Sequence, residues 1–117
     1  MTRVQTLDRI AAVARDVRGV RASDVRAGDW VMVRTKNSVY SLVALGDGRF
    51  AIRGGWFESE GADATPIRVA GCTWGGSAIL TGLIAAPDMF MEFENGVRTT
   101  RVREVRLLRD GEPLTVH

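Results

Sequence analysis

The chain has very little of the side-chain chemistry on which most enzymes depend. Its 117 residues include one cysteine, Cys72, and one histidine, His117, which is the last residue. A single cysteine permits no internal disulfide and no cysteine-rich metal cluster, and a histidine in a polar tail is a poor partner for a thiol. The sequence therefore predicts no metal site and no cofactor, and it favours a reducing, cytoplasmic location.

Long apolar runs are also missing. No stretch of about 18 apolar residues occurs, which argues against a membrane-spanning helix. Near the N-terminus Arg9, Arg15 and Arg18 interrupt the region in which a signal peptide needs an apolar core. We therefore expect neither membrane insertion nor secretion.

Charge is nearly balanced over the chain but unevenly distributed. Residues 1–36 carry eight basic and four acidic side chains, residues 37–96 carry three and seven, and residues 97–117 carry five and three. Because chain ends often approach each other in a closed barrel, the two basic segments are candidates for one shared basic face, which would suit nucleic acid. The alternative is that segments of opposite sign complement one another across the fold or between subunits.

Most of the chain shows the alternation and turn signals of short β-strands. The predicted strands are WVMVRT (30–35), VYSLVAL (39–45), RFAIRG (49–54), IRVAGC (67–72), AILTGLIAA (78–86), MFMEFE (89–94) and VRTTRVREVRLL (97–108). GDG at 46–48 and NG at 95–96 are tight-turn signals, and the polar stretch 58–66 predicts a solvated loop. Val102 and Val105 are three residues apart, which predicts a bulge or one 3₁₀ turn between them.

These strands predict one small all-β domain with a helix in front. Residues 6–18 have helical period. The apolar face of this helix comprises Leu7, Ile10, Ala11, Ala14 and Val17. Short strands in a small chain usually close into a barrel, which removes exposed edges. We expect an SH3-like barrel of six or seven strands, divided as a helix and capped turn (1–27), the barrel (28–109) and a flexible tail (110–117), with the helix on the barrel's outside or across one mouth.

The stretch GCTWGGSAILTG, residues 71–82, is a candidate ligand-binding loop. Phosphate loops need spacings such as G-x-x-x-x-G-K-S/T or G-x-G-x-x-G between a strand and a helix, and these glycines match neither. The segment TWGGS instead predicts a tight turn between strands, in which Gly75 and Gly76 supply positive φ.

Two arrangements are candidates for catalysis, and each has a simpler structural interpretation. Cys72 ends an apolar strand and has no dependable basic partner, so we expect a buried, unreactive thiol. Glu92 and Glu94 share a strand face, as paired acids would, but their alternation with apolar residues is typical of the wet side of a half-buried strand. We therefore predict that the protein is not an enzyme.

Aromatic residues are the better clue to binding, because so small a core cannot hold every one of them centrally. RGGWF places Trp56 and Phe57 after a flexible Gly-Gly and beside Arg53, an arrangement that suits base stacking or a protein interface. The alternative is that both aromatics close the open end of the barrel or pack on the helix. The candidate ligand or partner surface comprises Arg53, Trp56, Phe57, Trp74, Asn37 and Tyr40.

Polar residues form two further clusters. Thr35, Asn37, Ser38 and Tyr40 surround one turn, and Thr99 and Thr100 form the second cluster. If the barrel brings the clusters together, they are candidates for binding a small polar ligand. We expect instead that they bond the backbone of their own turns, as Ser, Thr and Asn commonly do.

Four segments together resemble a group of small, uncharacterised bacterial all-β proteins. They are RTKNSVYSL (34–42), IRGGWF (52–57), GCTWGGSA (71–78) and NGVRTTRV (95–102). The group shows T-x-N-S-x-Y, G-G-x-F, G-G-S and T-S-P-V stretches, the last of which is TTRV in this chain. The resemblance covers about residues 28–108 and implies one small β domain, with no established activity and no catalytic or binding residues.

Three functions follow from these observations, in order of preference. The first is a non-catalytic binding module with a protein partner, itself a homo-oligomer, because exposed aromatics and an apolar helix face both need partners. The second is a nucleic-acid-binding barrel, because the chain ends are basic and Arg53 lies beside Trp56. The third is an enzyme that uses Cys72 or the Glu92 and Glu94 pair.

Overall fold

A computed structural model describes residues 19–109 of the chain. In chain order its elements are β1 (Val20–Arg21), a 3₁₀ turn (Ala22–Asp24), β2 (Trp30–Thr35), β3 (Val39–Gly46), β4 (Arg49–Arg53), α1 (Gly55–Ser59), β5 (Pro66–Thr73), β6 (Leu83–Ala85), β7 (Phe90–Phe93) and β8 (Arg98–Leu108). Within residues 19–109 no helix has the length and apolar character needed to cross a membrane. The predicted helix at 6–18 and the predicted tail at 110–117 lie outside the described residues.

Six strands form a closed antiparallel barrel in the order β2-β3-β4-β5-β7-β8, with β8 pairing back to β2. Closure depends on β8, which pairs with β7 through its first half and with β2 through its second half. The short strands β1 and β6 pair with each other in a separate two-stranded sheet. The prediction of a small all-β barrel is confirmed.

The bulge predicted in the last strand is present. Arg34 pairs with Glu104 and Thr35 pairs with Val102, so Arg103 is the extra residue on β8. Because of this extra residue, both Val102 and Val105 point inward, with 1 % and 8 % of their surface exposed. An antiparallel bulge of this kind bends the strand, which helps it to join two halves of a barrel.

Two segments differ from their predicted structure. The single strand expected over 78–86 is interrupted by a turn at Thr81–Gly82, which leaves β6 and one isolated bridge between Leu80 and Cys72. The loop expected over 58–66 begins with the end of α1, whose backbone bonds include that from Glu60 N to Trp56 O. Neither element is long enough to show a periodicity in the sequence.

The barrel interior is one apolar cluster contributed by all six strands, with a smaller cluster beside it. Phe57 from α1 extends into the interior and meets the ring of Phe93 edge to face, with 4.8 Å between ring centroids. The smaller cluster comprises Cys72, Leu83, Ala86 and Met89. α1 therefore covers the barrel core through Phe57. This corresponds to the sequence-based alternative in which the aromatic residues close the open end of the barrel.

Candidate binding surfaces

The only cysteine lies inside the protein. Cys72 has no exposed surface, and its Sγ donates a hydrogen bond to the carbonyl oxygen of Ile84 at 3.3 Å. Burial raises the pKa of this thiol to about 12, and a backbone hydrogen bond from Ala86 offsets only part of that effect. The prediction of a buried cysteine is confirmed, and the thiolate needed for nucleophilic chemistry is scarce at neutral pH.

The two glutamates of β7 and its turn have separate partners. Glu92 accepts a hydrogen bond from Arg98 at 2.8 Å, whereas Glu94 accepts one from the backbone N–H of Arg68 at 3.3 Å. Because each carboxylate is bonded to a different partner, these contacts do not place the two side chains together as a catalytic acid–base pair. In the part of the chain that the structure describes, no group of three or more His, Cys, Asp or Glu side chains is placed to hold a metal ion.

The glycine-rich stretch forms a turn that is fastened by side chains. Thr73 Oγ1 accepts a hydrogen bond from Gly75 N–H and donates one to the Gly76 carbonyl, both at 3.1 Å. The guanidinium of Arg98 donates to the carbonyls of Gly75 and Gly76 at 3.4 and 3.3 Å. Gly75 has a φ of 126°, as predicted, whereas Gly76 does not have a positive φ. The hydrogen bonds hold the loop, and Trp74 at its tip is 52 % exposed.

Two residues of the sequence-predicted surface lie in the core instead. Tyr40 and Phe57 are 5 % and 1 % exposed, because both rings pack near Phe93 in the barrel interior. They are therefore inaccessible to a partner. Trp56 packs edge-on against Phe57 and keeps 39 % of its surface exposed.

Arg53, Asn37 and Trp74 are exposed, but they come from three different parts of the fold. Arg53 ends β4, Asn37 lies in the turn between β2 and β3, and Trp74 follows β5. The predicted residues therefore do not form one surface.

One threonine of each polar cluster, Thr35 and Thr99, bonds nearby backbone groups. Thr35 Oγ1 donates to the Ser38 carbonyl at 3.2 Å and accepts from Ser38 N–H at 3.1 Å. Thr99 Oγ1 accepts from Met91 N–H and donates to the Thr100 carbonyl. These hydroxyls stabilise turn and strand geometry, which is the interpretation favoured from the sequence.

One face of the barrel combines an apolar centre with arginines. It is the outer surface of β8, β2, β3 and β4, where inward and outward residues alternate along each strand. Cross-strand pairing aligns its residues in three rows, which are Leu108–Trp30–Val43–Ala51, Arg106–Met32–Ser41–Arg53 and Glu104–Arg34–Val39. We call these eleven residues the arginine-rimmed face.

Exposure of large apolar side chains marks this face as unusual. Trp30 is 45 % exposed and Val39 is 52 % exposed, and Leu45, which is 49 % exposed, follows the same face of β3. Single exposed apolar residues are ordinary on protein surfaces, but several on one sheet face indicate an interaction site. The sequence contains one signal of it: WVMVRT is apolar at both alternating sets of positions, which is typical of a strand covered on both sides.

Two ion pairs lie at the charged edge of the arginine-rimmed face. Glu104 accepts hydrogen bonds from Arg34 Nε at 3.3 Å and from Arg106 Nε at 2.7 Å. These arginines, Arg106 above all, lower the pKa of Glu104. The three side chains line a shallow groove of about 140 Å³ together with Met32 and Val39.

The same ion pairs bring the two basic segments of the chain together. Arg34 belongs to the basic first segment and Arg106 to the basic last segment, and both flank Glu104 on adjacent strands. The surface is therefore basic with one carboxylate in it, as the first sequence-based interpretation expects. The ion pair of Arg98 with Glu92 joins the basic last segment to the acidic middle one, as the alternative expects.

A second surface lies where the loop after β5 crosses the outer side of β7 and β8. The guanidinium carbon of Arg101 lies 5.2 Å from the centroid of the Phe90 ring. Gly75 is close to the same ring, since a Cβ atom on it would lie 3.4 Å from Phe90 Cε2. Trp74 precedes Gly75 and is exposed. We call Trp74, Phe90 and Arg101 the aromatic platform.

No protein-family model, curated protein or solved structure matches the chain. The function is therefore inferred from the geometry and chemistry of these two surfaces.

Proposed function

We propose that the protein is a non-catalytic, protein-binding module that self-associates through the arginine-rimmed face. The observation that best supports this proposal is the exposed apolar centre around Trp30, with Arg53 and Arg106 in the next row. Tryptophan and arginine contribute most to binding free energy at protein interfaces. A segment that complements this face has an apolar side chain for the centre and carboxylates for the arginines.

The chain itself supplies such a segment. Residues 56–63, which we call the acidic segment, carry the half-exposed Trp56 and the exposed side chains of Glu58, Glu60 and Asp63. Asp63 accepts a hydrogen bond from Gly54 N–H at 3.1 Å, and the glutamates form none of the ion pairs found among residues 19–109. Charge complementarity with the arginines therefore favours a second copy of the chain as the occupant.

The proposed contact joins two different surfaces, so each copy offers its acidic segment to the arginine-rimmed face of the next. Such a heterologous contact closes into a ring or extends into a filament, depending on the rotation between copies. Three interstrand spacings and four residue rises give the face dimensions of about 14 Å by 13 Å. That area accommodates one short segment, so we expect weak, salt-sensitive association.

Two finer assignments belong to the same proposal. We assign the barrel to the SH3-like type because a bulge bends its last strand where such barrels commonly have a 3₁₀ turn. We assign the protein to the cytoplasm, without cofactor or metal, because its single cysteine is a buried free thiol.

Sedimentation velocity over a range of protein concentrations tests the self-association. We expect the average mass to rise with concentration and to fall when salt is added, and we expect Trp30→Ser to yield a monomer. Trp74→Ser is the matched control, since Trp74 is 52 % exposed, against 45 % for Trp30, but lies outside the arginine-rimmed face.

Charge reversal identifies the occupant. Arg53→Glu with Arg106→Glu is expected to abolish association, and adding Glu58→Arg with Glu60→Arg is expected to restore it. A protein that stays monomeric at every concentration, or that associates unchanged after Trp30→Ser, would overturn the proposal.

A further inference from the structure

We infer that the aromatic platform and the neighbouring arginines of β8 bind single-stranded nucleic acid. Arg106 is the one residue that this site shares with the arginine-rimmed face, and the site does not depend on self-association. Its two components are an exposed stacking surface and a strand of closely spaced positive charges.

The loop that carries the stacking surface is fastened by hydrogen bonds. Trp74 lies at the tip of this loop, whose backbone at Gly75 and Gly76 is bonded to Thr73 and Arg98. Phe90 lies beside the same loop with the Arg101 guanidinium over its ring. An indole and an arginine-covered phenyl ring on one surface are the components on which unpaired bases stack, because every base has a π-face.

The positive charges follow from two irregularities in β8. The pairing of β7 with β8 shifts between Phe90 and Glu92, and the pairing of β2 with β8 shifts at Arg103. As a result Thr100 and Arg101 are both exposed, as is Arg103, whereas strict alternation would turn every second residue inward. β8 therefore carries Arg98, Arg101, Arg103 and Arg106 with a single glutamate.

These arginines differ in how far they are already neutralised. Arg98 is committed to Glu92 and to the loop carbonyls, and Arg106 to Glu104. Among residues 19–109, Arg101 and Arg103 form no ion pair with a carboxylate. We therefore assign Arg101 and Arg103 to phosphate contacts. Arg98 instead holds the loop in place.

The geometry favours a single strand over a duplex. From Arg98 to Arg106 the strand extends about 26 Å, which suits a site of about four nucleotides. Stacking on the exposed Trp74 requires bases that are not already stacked and paired within a duplex. DNA and RNA single strands share this chemistry, and they are distinguished by measuring the affinity for each.

Fluorescence anisotropy with a fluorescein-labelled oligothymidylate and an oligouridylate, each of about 12 nucleotides, tests the site. The Trp30→Ser variant is the background protein, so that self-association does not contribute to the signal. We expect saturable binding that weakens as salt increases, and the difference in affinity between the two oligonucleotides shows whether the site prefers DNA or RNA. A duplex of the same length is expected to bind more weakly.

Two sets of substitutions separate stacking from charge. Trp74→Ala is expected to weaken binding by about fivefold or more, with little change in salt dependence. Arg101→Ala with Arg103→Ala is expected to lower the slope of log affinity against log salt by about 1.4, that is, about 0.7 for each phosphate contact. Arg49→Ala, an exposed arginine on β4, is the matched control and should leave both quantities unchanged.

Three results would overturn the inference. The first is no binding at low salt, and the second is equal binding by the duplex. The third is binding of an oligoglutamate peptide with the same dependence on Trp74 and Arg103, which would assign the surface to acidic proteins instead.

Discussion

At the scale of single residues, the burial of Cys72 makes the stability of the folded protein depend on pH. Its thiol has a pKa of about 12 in the folded protein, against 9.0 for an exposed thiol, so the unfolded chain loses this proton first as pH rises. The contribution of Cys72 to stability is therefore complete below pH 9 and is lost between pH 9 and 12. Near pH 10 the loss is about 1.4 kcal/mol.

Urea unfolding at several alkaline pH values checks this prediction. Because serine does not titrate in this range and can also donate to the Ile84 carbonyl, Cys72→Ser should show a smaller fall in stability above pH 9 than the wild type. Parallel pH profiles for the two proteins would contradict a buried thiol.

Gly55 is the second residue whose role can be measured directly. It has a φ of 50°, and a Cβ atom on it would lie 2.3 Å from Cζ of Tyr40. We expect Gly55→Ala to add overpacking of about 1–3 kcal/mol to the backbone cost of an alanine with positive φ. The expected result is a lower urea midpoint with an unchanged slope.

Gly61→Ala separates the backbone cost of positive φ from the cost of overpacking. Gly61 has a φ of 70°, and a Cβ atom on it would have no neighbour within 4 Å, so its substitution carries the backbone cost alone. Equal destabilisation by the two alanine substitutions would mean that Tyr40 moves aside at no cost and that α1 is not seated against it.

At the scale of elements, the bulge in β8 predicts that two single-residue deletions in this strand differ in their effect on stability. Arg103 is the extra residue, so removing it leaves the Thr35–Val102 and Arg34–Glu104 pairs in place. We expect the deletion of Arg103 to give a folded protein with moderately reduced stability. Deletion of Arg106 should be far more damaging, because it shifts Leu107 and Leu108 by one position and so exchanges their faces.

Thermal unfolding followed by near-ultraviolet circular dichroism measures both deletions. The near-ultraviolet signal of the buried rings Tyr40, Phe57 and Phe93 should persist without Arg103 and disappear without Arg106. The opposite order would show that the bend supplied by the bulge matters more to closure than the register does.

The same scale shows what the sequence could predict of the fold. β2 has its predicted bounds, and β3 is extended by one residue, because alternation and the GDG turn act within a few neighbouring residues. β6 is shorter than predicted because its three residues pair with β1, more than sixty residues away in the chain, and Thr81–Gly82 interrupt the apolar run before it. The sequence does not indicate α1, because five residues are too few to establish a helical period.

Binding surfaces are harder to predict than strands, for a related reason. The exposure of Trp56 and Trp74 follows from neighbouring glycines and polar residues, and both belong to the predicted surface. Tyr40 and Phe57 are buried instead, because their rings pack near Phe93 in the barrel core, a contact between segments distant in the chain. The arginine-rimmed face is made by register across four strands, which a single sequence does not specify.

At the scale of the whole molecule, charge is segregated between different parts of the barrel. The acidic segment follows β4, whereas basic side chains concentrate on β8, which carries four arginines. A net charge of +2 therefore conceals two regions of opposite sign. Such a molecule has an electric dipole, which orients an approaching copy or an approaching nucleic acid before contact is made.

Closure of the barrel also limits the ways in which a partner can be recognised. A closed sheet has no free row of backbone N–H and C=O groups, so a partner cannot join it as an additional strand. Recognition at both proposed surfaces therefore depends on side chains alone. Partner choice can consequently change by point substitution on the outside of β2, β3, β4 or β8 while the backbone that supports it remains the same.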